Sequence, residues 1–490
     1  MKINNIYIYL FGALPMLFTA CTSLDEDPKS NQVSNQFYNN EADAQSAITA
    51  VYSGLRTGID AQPMYNRGIQ LATDIVTDDY LAGPRAINAN VQALSKVSFD
   101  ASNDRLQSIW QDHYSAINNA NVAIDKITAI PESNISPEKR TQYVNEAKFL
   151  RALYYFNLVR WFRNVPLVLH ETTSLTKENL NVKQATEDEV YAQIIKDLTD
   201  AEALPTPSKA EAGRATAGSA KALLAKVYLT RQEWQKAASK SKEIIDAGWY
   251  SLFDNYDDVF DSKSKNGKEH IFSVQWLGFS GQGSHMLAGT STPYSVPGLN
   301  GSFADVYNSG SDLLASYDDN DQRKDVSIVT EFISPTDGKT YKLDIPSFHK
   351  YYDPDAVGNQ YNSSRNFPII RYSEVLLFYA EALNELNGPI PAAYAAIDEV
   401  RNRAHIKKLT EVAPNVTKDE FREYVFEERR KEFVYEYNRW FDLSRRGAEY
   451  FVKKLHASGK NNAQAKHVIF PIPQRELDMN PNLVQNPEWK

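Results

Sequence analysis

Residues 137–162 read PEKRTQYVNEAKFLRALYYFNLVRWF. The run opens with Pro137, which is tolerated in the first turn of a helix, and Pro166 follows shortly after its end. Large apolar and aromatic side chains occupy more than one face of the helix that this spacing predicts. A helix that is apolar on several sides packs against several neighbours. The segment therefore predicts the centre of a mainly helical body.

Helical spacing of apolar residues recurs on both sides of this segment. It predicts further helices over 41–55, 104–127, 186–204, 217–229, 232–247, 372–386 and 390–404. The last four of these ranges form two consecutive pairs that are rich in alanine, and small residues let two antiparallel helices approach closely. Each pair, 217–229 with 232–247 and 372–386 with 390–404, resembles a tetratricopeptide helix-turn-helix unit. The predicted fold class is mainly α.

The character of the chain changes between residues 249 and 366. Glycine, serine, asparagine, aspartate and aromatic residues dominate there, with short strand-like stretches such as 270–274. Long irregular segments inside a compact body are usually functional. We therefore expect a loop-rich insert at 249–366 between a helical region at 36–248 and a C-terminal region at 367–490, all in one compact body.

The N-terminus has the layout of a secretory signal. Lys2 precedes an apolar run from about Ile6 to Ala20, and this run, interrupted by Pro15, is too short for a stable membrane span. Cys21, the only cysteine, follows it and resembles the lipidated cysteine of a bacterial lipobox. We expect a signal peptide at 1–20, lipidation at Cys21 and a flexible acidic tether at 21–35, so that only a lipid anchor attaches the chain to the membrane.

Composition narrows the classes of function. The chain has 62 acidic and 53 basic residues, a net charge of −9, which argues against nucleic-acid binding. Aromatic residues make up 12% of the chain, and rings with apolar faces and polar rims suit carbohydrate or peptide surfaces, although most will be core.

Catalytic and metal-binding patterns are missing from the sequence. No His-Glu-x-x-His motif occurs, and the acidic run at 318–321 lacks the glycine and distant glutamate of an EF-hand, so we expect a solvated turn there. Asp78 and Asp79 are adjacent, and neighbours on an extended chain point to opposite sides, which disfavours a glycosidase pair. No cofactor or catalytic residue is expected.

A series of strings, in order along the chain, carries a family resemblance. They are FLRALYYFNLV (149–159), FPIIRYSEVLL (367–377), YAEA (379–382), VRNRA (400–404), ERRKEF (428–433), RWFDL (439–443), FPIP (470–473) and NPNLVQNP (480–487). Together they resemble the SusD/RagB family of Bacteroidetes outer-membrane lipoproteins. The charged residues of these strings lie among apolar ones, and we expect them to form a buried ion network that fixes helix packing: Arg371, Glu374, Glu381, Arg401, Arg429, Arg430, Glu432, Arg439 and Asp442.

The resemblance implies a SusD-like fold with tetratricopeptide-like hairpins and a loop-rich ligand face. It also implies a lipoprotein at the outer membrane, facing the exterior, that binds a nutrient without catalysis and covers a SusC-like TonB-dependent transporter. The helical repeats would contact the transporter and the loops would hold the ligand. Most relatives bind glycans, whereas the RagB branch is associated with peptides.

Sugar rings stack on exposed aromatic side chains, so we expect ligand contacts from rings and polar groups on loops. Trp276 is the first choice, because the neighbouring glycines Gly278, Gly281 and Gly283 offer little that could bury it. The full set of expected ligand-binding residues is Trp276, Tyr80, Arg85, Phe279, Tyr294, Asn300 and Tyr307.

Four hypotheses remain open at this point. The first is a surface glycan-binding lipoprotein for import, and the second is a peptide binder in the same machinery. The third is a lipid-anchored glycoside hydrolase, which needs two carboxylates about 5 to 9 Å apart in a cleft. The fourth is a structural repeat scaffold with no ligand pocket.

Overall fold

The computed structural model describes residues 37–58, 64–279, 281–286, 296–299, 305–359 and 361–490. The expected signal peptide, Cys21 and the tether lie outside the described residues, as do Tyr294 and Asn300.

The chain is mainly helical, which confirms the predicted fold class. In the described ranges the α-helices, numbered α1 to α18 in chain order, are Glu41–Ser53, Ile69–Thr73, Ala89–Ser95, Asp104–Ala129, Pro137–Phe162, Lys177–Leu180, Glu187–Ala201, Ala217–Thr230, Trp234–Ala247, Leu313–Ser316, Gln322–Ser327, Tyr372–Asn387, Pro391–Arg403, Leu409–Val412, Lys418–Glu432, Arg439–Arg445, Ala448–Ala457 and Gln474–Met479. The predicted helices all form, with boundaries that differ by at most a few residues.

Helix α5, Pro137–Phe162, forms the centre of the N-terminal half. The Ser136 side chain caps its first turn by accepting from the backbone N–H of Lys139. Nearly every residue from Ala147 to Phe162 is buried, because α1, α4, α7 and α8 pack around it. This packing explains why apolar side chains occupy all its faces.

The two predicted helical hairpins are present. Helices α8 and α9 pack against each other, as do α12 and α13, and α9 also packs against α12. A capping box between Thr216 and Ser219 begins α8, and Gly248 in the left-handed region ends α9. The hairpins thus form one stack.

The strands of the described residues pair into two-stranded antiparallel sheets. Strands β1 to β8 are Tyr80–Ala82, Val165–Pro166, Gln184–Ala185, His270–Val274, Asp305–Tyr307, Ile328–Ile333, Thr340–Phe348 and Phe367–Arg371. The pairs are β1 with β5, β2 with β3, β4 with β8, and β6 with β7. In the β4–β8 pair His270 lies opposite Arg371 and Val274 opposite Phe367, so this ladder joins the loop-rich insert to the start of α12.

The expected buried ion network is confirmed. Arg371 is almost fully buried and donates to Glu269 at 2.7 Å, to Glu436 at 2.8 Å and to Glu432. Arg429 joins Asp442 at 2.9 Å, which ties α15 to α16. The other expected members also form pairs across elements: Glu374 with Arg429, Arg401 with Glu428, Arg430 with Asp79, Arg439 with Asp78, and Glu381 with Arg445.

Two expectations about acidic residues are wrong. Asp78 and Asp79 lie in a turn, not on an extended chain, and both point toward Arg430 and Arg439; Arg439 Nη2 is 2.6 Å from Asp78 Oδ2 and Arg430 Nη2 is 2.6 Å from Asp79 Oδ1. The 318–321 run is exposed only up to residue 320. Asp321 is buried, because it pairs with the buried Arg323 at 2.7 Å.

Candidate functional site

Two loops continue from the end of the β4–β8 ladder and pack on each other. We call them the double loop: residues 276–279 and 281–286 after β4, and residues 361–366 before β8. The N–H of Ser284 donates to the carbonyl of Ser363 at 2.7 Å, and the N–H of Trp276 donates to Asn366 Oδ1 at 2.9 Å. A Cβ atom on Gly283 would lie 2.4 Å from the Cα of Asn362, so only glycine fits there.

Trp276 does not stand exposed on this loop, so that expectation is wrong. Its side chain is 3% exposed and belongs to the main hydrophobic core. The loop folds back because Asn366 fixes its backbone and Lys265 donates from Nζ to the Trp276 carbonyl at 2.9 Å. Trp276 therefore supports the double loop from beneath, and its part in ligand binding stays a prediction.

The exposed rings of the double loop are Phe279, which is 54% exposed, and Tyr361, which is 48% exposed. Leu277 lies exposed beside them, and the imidazole of His285 meets the Tyr361 ring edge-on at 5.0 Å between centroids. Phe279 was expected from the sequence and Tyr361 was missed. Tyr361 lies in the polar run GNQYNSS (358–364), the same kind of loop-borne ring that drew attention to Trp276.

A cavity of about 290 Å³ opens beside the double loop, between the end of α1 and strand β4. Its lining includes Tyr52, Arg56, Arg214, Gln275 and Leu277. A second cavity of about 410 Å³ shares part of this lining, at residues 212–214 and 273. The two cavities adjoin at these shared residues, and Leu277 of the double loop lines the first of them.

Arg56 connects the cavity to the double loop. Its Nη1 donates to Gln282 Oε1 at 2.7 Å, and its guanidinium lies over the Trp276 ring, 6.0 Å from the centroid. Burial lowers the pKa of Arg56. Sequence reasoning missed Arg56, since it lies in the turn after α1, far from the loop in sequence.

The opposite wall of the cavity is neutralised within the protein. Tyr52 donates from its hydroxyl to Glu146 Oε2 at 2.8 Å, and burial together with Glu146 raises the pKa of Tyr52 well above its usual value. Arg214 lies 3.1 Å from Glu146 and 5.4 Å from the Tyr52 ring centroid. Gly213, with φ of +84°, lets this wall approach Gln275, because a Cβ there would lie 2.7 Å from the Gln275 side chain.

Tyr80 and Tyr307 are brought together, but in the core and not on the surface. They lie opposite each other in the β1–β5 pair, and both are buried. Tyr80 stacks on Phe348 at 4.2 Å and on Tyr435 at 5.9 Å between centroids. The expectation that these rings are exposed is wrong, because the short ladder turns them toward α15 and its following turn. Arg85 is exposed in the segment after β1, so the structure does not place it beside these two rings.

Neither a metal centre nor a membrane span is evident in the described ranges. No group of three or more His, Cys, Asp or Glu side chains within them is arranged to hold a metal ion. No helix within them combines the length and apolarity needed to cross a bilayer.

Comparisons with known proteins agree with this architecture. A family model described as "SusD family" matches residues 334–489, and one described as "Starch-binding associating with outer membrane" matches residues 23–229. The two ranges do not overlap and together span well over half of the chain. A SusD-like protein of Formosa agariphila is 28% identical over 98% of this chain and 99% of its own length.

Solved structures extend the match to the whole body. A laminarin-binding SusD-like protein superposes with a TM-score of 0.75 at 28% identity, covering 92% of this chain and 100% of that chain. Surface glycan-binding protein A from Bacteroides uniformis superposes with a TM-score of 0.76 at 26% identity, with coverage of 92% and 100%. Because family models match both halves and relatives match nearly the full length, this chain belongs to the SusD/RagB family.

Proposed function

We propose that this protein binds an oligo- or polysaccharide at the outer membrane without cleaving it and delivers it to a SusC-like TonB-dependent transporter. Family membership supports the glycan class, since the N-terminal family model is described as starch-binding and two similar structures are of glycan-binding proteins. In this proposal the lipid on Cys21 holds the protein at the membrane, facing the cell exterior, and the helical hairpins meet the transporter.

The observation that carries the proposal is the pair of exposed rings on the double loop. Phe279 and Tyr361 offer apolar faces on which sugar rings stack, and the double loop also carries the amide side chains of Gln282 and Asn362. The adjoining cavity supplies the concave surface that small-ligand sites need. In this proposal the ligand lies across the double loop, with Gln275 and Gln282 at its edge and Trp276 beneath.

Absence of catalysis is part of the proposal. Asp78 and Asp79, the adjacent carboxylates weighed as a glycosidase pair, each accept from a buried arginine. Burial would raise the pKa of Asp78, but the attraction of Arg439 and Arg430 outweighs burial and lowers this pKa, and a carboxyl that stays charged is a poor general acid. The bound glycan is therefore expected to be released uncleaved.

The test is calorimetric titration of the soluble chain beginning at Pro28 with laminarin, starch, other polysaccharides and peptides, followed by analysis of the recovered ligand for cleavage. Replacing Phe279 and Tyr361 together by alanine is expected to weaken glycan binding about tenfold or more, since stacking is lost. Tyr424→Ala is the matched control, because Tyr424 is exposed on α15, away from the double loop.

Each result separates the hypotheses. Uncleaved binding to a glycan that falls in the double variant and not in the control supports the proposal. Binding to peptides alone would favour the peptide importer, and cleavage of the ligand would contradict the non-catalytic part.

A further inference from the structure

Three basic side chains border the double loop without forming an ion pair among the described residues. Lys265 donates to the Trp276 carbonyl, and Arg56 donates to the amide of Gln282. Arg365 lies within the second loop, and its buried Nε has no hydrogen-bond partner in the described part of the chain. Arg56 and Lys265 are thus hydrogen-bonded to neutral groups, but Asp353 attracts Lys265 and Asp257 attracts Arg365, so Arg56 alone of the three is without an acidic neighbour among the described residues.

This arrangement differs from that of the buried arginines elsewhere in the chain. Arg371 contacts three glutamates, and Arg323 contacts Asp321, Glu428 and Glu432. A buried charge is costly unless an opposite charge compensates it, and the C-terminal body follows this rule. Arg56 departs from it: no carboxylate of the described residues forms an ion pair with Arg56, and burial is the cause that lowers its pKa, so a ligand can supply the compensating charge.

Arg56 is the best placed of the three for direct contact. It lines the 290 Å³ cavity, and one of its five N–H donors is used by Gln282. The planar guanidinium presents its remaining donors as a fork that matches a carboxylate or a sulfate. Arg214 on the facing wall cannot play this part equally well, since Glu146 already neutralises it.

The acid beneath the second loop is already occupied. Asp353 is buried and accepts from the Ser363 hydroxyl at 2.7 Å and from the N–H of Ser364 at 3.2 Å. It therefore shapes residues 361–366, and its charge acts on Lys265 and not on Arg56.

We propose that the glycan bound at the double loop is acidic, with carboxylate or sulfate groups on its sugars, and that Arg56 binds one of these groups. This inference rests on the proposed function and names its ligand class. The net charge of −9 does not oppose it at short range, because physiological salt screens charges beyond about 8 Å. The Arg56 guanidinium, which is close to the ligand, then determines the preference for acidic over neutral glycans.

The experiment uses matched pairs of probes that differ only in charge. Polygalacturonate oligosaccharides are compared with their methyl esters, and a sulfated galactan is compared with its desulfated form, by calorimetry on the soluble chain. At least one acidic probe is expected to bind about tenfold or more tightly than its neutral partner, since a charge-assisted hydrogen bond is lost with the charge. Its affinity should also fall with added salt.

The Arg56→Gln variant tests the residue, because glutamine keeps a polar side chain and removes the charge. It should reduce the acidic preference, measured as the ratio of the affinities for the acidic and the neutral probe, to near unity. Arg475→Gln, a change at an exposed arginine on α18, is the control and should behave as wild type. Melting temperatures of both variants verify that they fold.

The outcomes distinguish this inference from the proposed function. Binding of neutral glycans with no preference for either acidic probe would overturn the inference and leave the proposed function in place. An acidic preference that persists in Arg56→Gln would overturn the assignment to Arg56. Binding of no carbohydrate at all would overturn both. A preference for only the uronate or only the sulfate would support the inference and identify the anion.

Discussion

Arg371 illustrates how one residue can hold distant parts of this chain together. It lies at the end of β8 and contacts Glu269 before β4, Glu432 at the end of α15 and Glu436 in the following turn. Removing one partner of a buried pair costs far more than the pair contributes, because the remaining charges stay buried without compensation. Such residues fix the geometry of the body and leave the ligand contacts to others.

We expect Arg371→Met to lower the free energy of unfolding by about 3–5 kcal/mol, since three buried glutamates would lose their shared partner. Urea denaturation, monitored by circular dichroism, measures this free energy of unfolding. Lys242→Met is the control, because Lys242 pairs with Asp246 at an exposed position of α9, where an ion pair contributes little to the free energy of unfolding. Equal losses in the two variants would contradict the network's role.

The pKa of the Glu427 carboxyl makes the stability of the folded protein depend on pH. Burial would raise the pKa of Glu427, but the attraction of Arg430, Arg439 and Lys454 outweighs burial and lowers the pKa to about 2. A carboxyl whose pKa is depressed in the folded state stabilises it above the unfolded pKa of 4.5, and this contribution is lost as pH falls from about 4.5 toward 2.

The difference in melting temperature between wild type and Glu427→Gln is therefore expected to be largest near pH 7 and to shrink toward zero at pH 2. Thermal denaturation at a series of pH values measures it. Glu449→Gln, at an exposed position in the first turn of α17, should show only a small difference at every pH. A constant difference for Glu427→Gln would contradict the depressed pKa.

At the scale of elements, helices with a clear apolar period could be predicted, whereas the loops and further helices such as α15 and α17 were missed. The apolar period and the flanking prolines gave α5 at its observed bounds, because helical contacts repeat every three to four residues within one segment. Trp276 is buried because Asn366 and Lys265, which come from other segments, fix the backbone of its loop. The local sequence therefore carried no signal for this burial. Likewise, the glycines next to Trp276 allowed close packing and did not leave the ring exposed.

The close approach of the two loops makes Gly283 a sensitive position. In Gly283→Ala the new methyl group would meet the Cα of Asn362 at 2.4 Å, so the loops must separate. We expect glycan affinity to fall about tenfold, since Phe279 and Tyr361 lose their relative placement. Gly248→Ala is the control, because no atom lies within 4 Å of its Cβ position, and its φ of +62° should cost about 1 kcal/mol of stability without changing affinity.

At the scale of the whole molecule, contacts between distant parts of the sequence suggest a single cooperative unit. One hydrophobic cluster includes residues from Ala44 to Leu483, and Arg430 and Arg439 reach back to Asp79 and Asp78. The C-terminal tail closes over α5, since the N–H of Phe470 donates to the Trp161 carbonyl at 2.7 Å. The division into regions 36–248, 249–366 and 367–490 is thus a division of sequence, and we predict that it does not correspond to independently folding domains.

Scanning calorimetry of the soluble chain is therefore expected to show one unfolding transition whose calorimetric and van't Hoff enthalpies agree. Arg439→Met, which leaves Asp78 with a weaker partner, should shift that transition to lower temperature as a whole, because the broken contact joins the two ends of the chain. If the N- and C-terminal regions folded separately, the same variant would split the transition and move only one part. The Arg475→Gln chain, altered at an exposed site, provides the reference for an unshifted transition, so a split in the Arg439→Met variant would contradict cooperative unfolding.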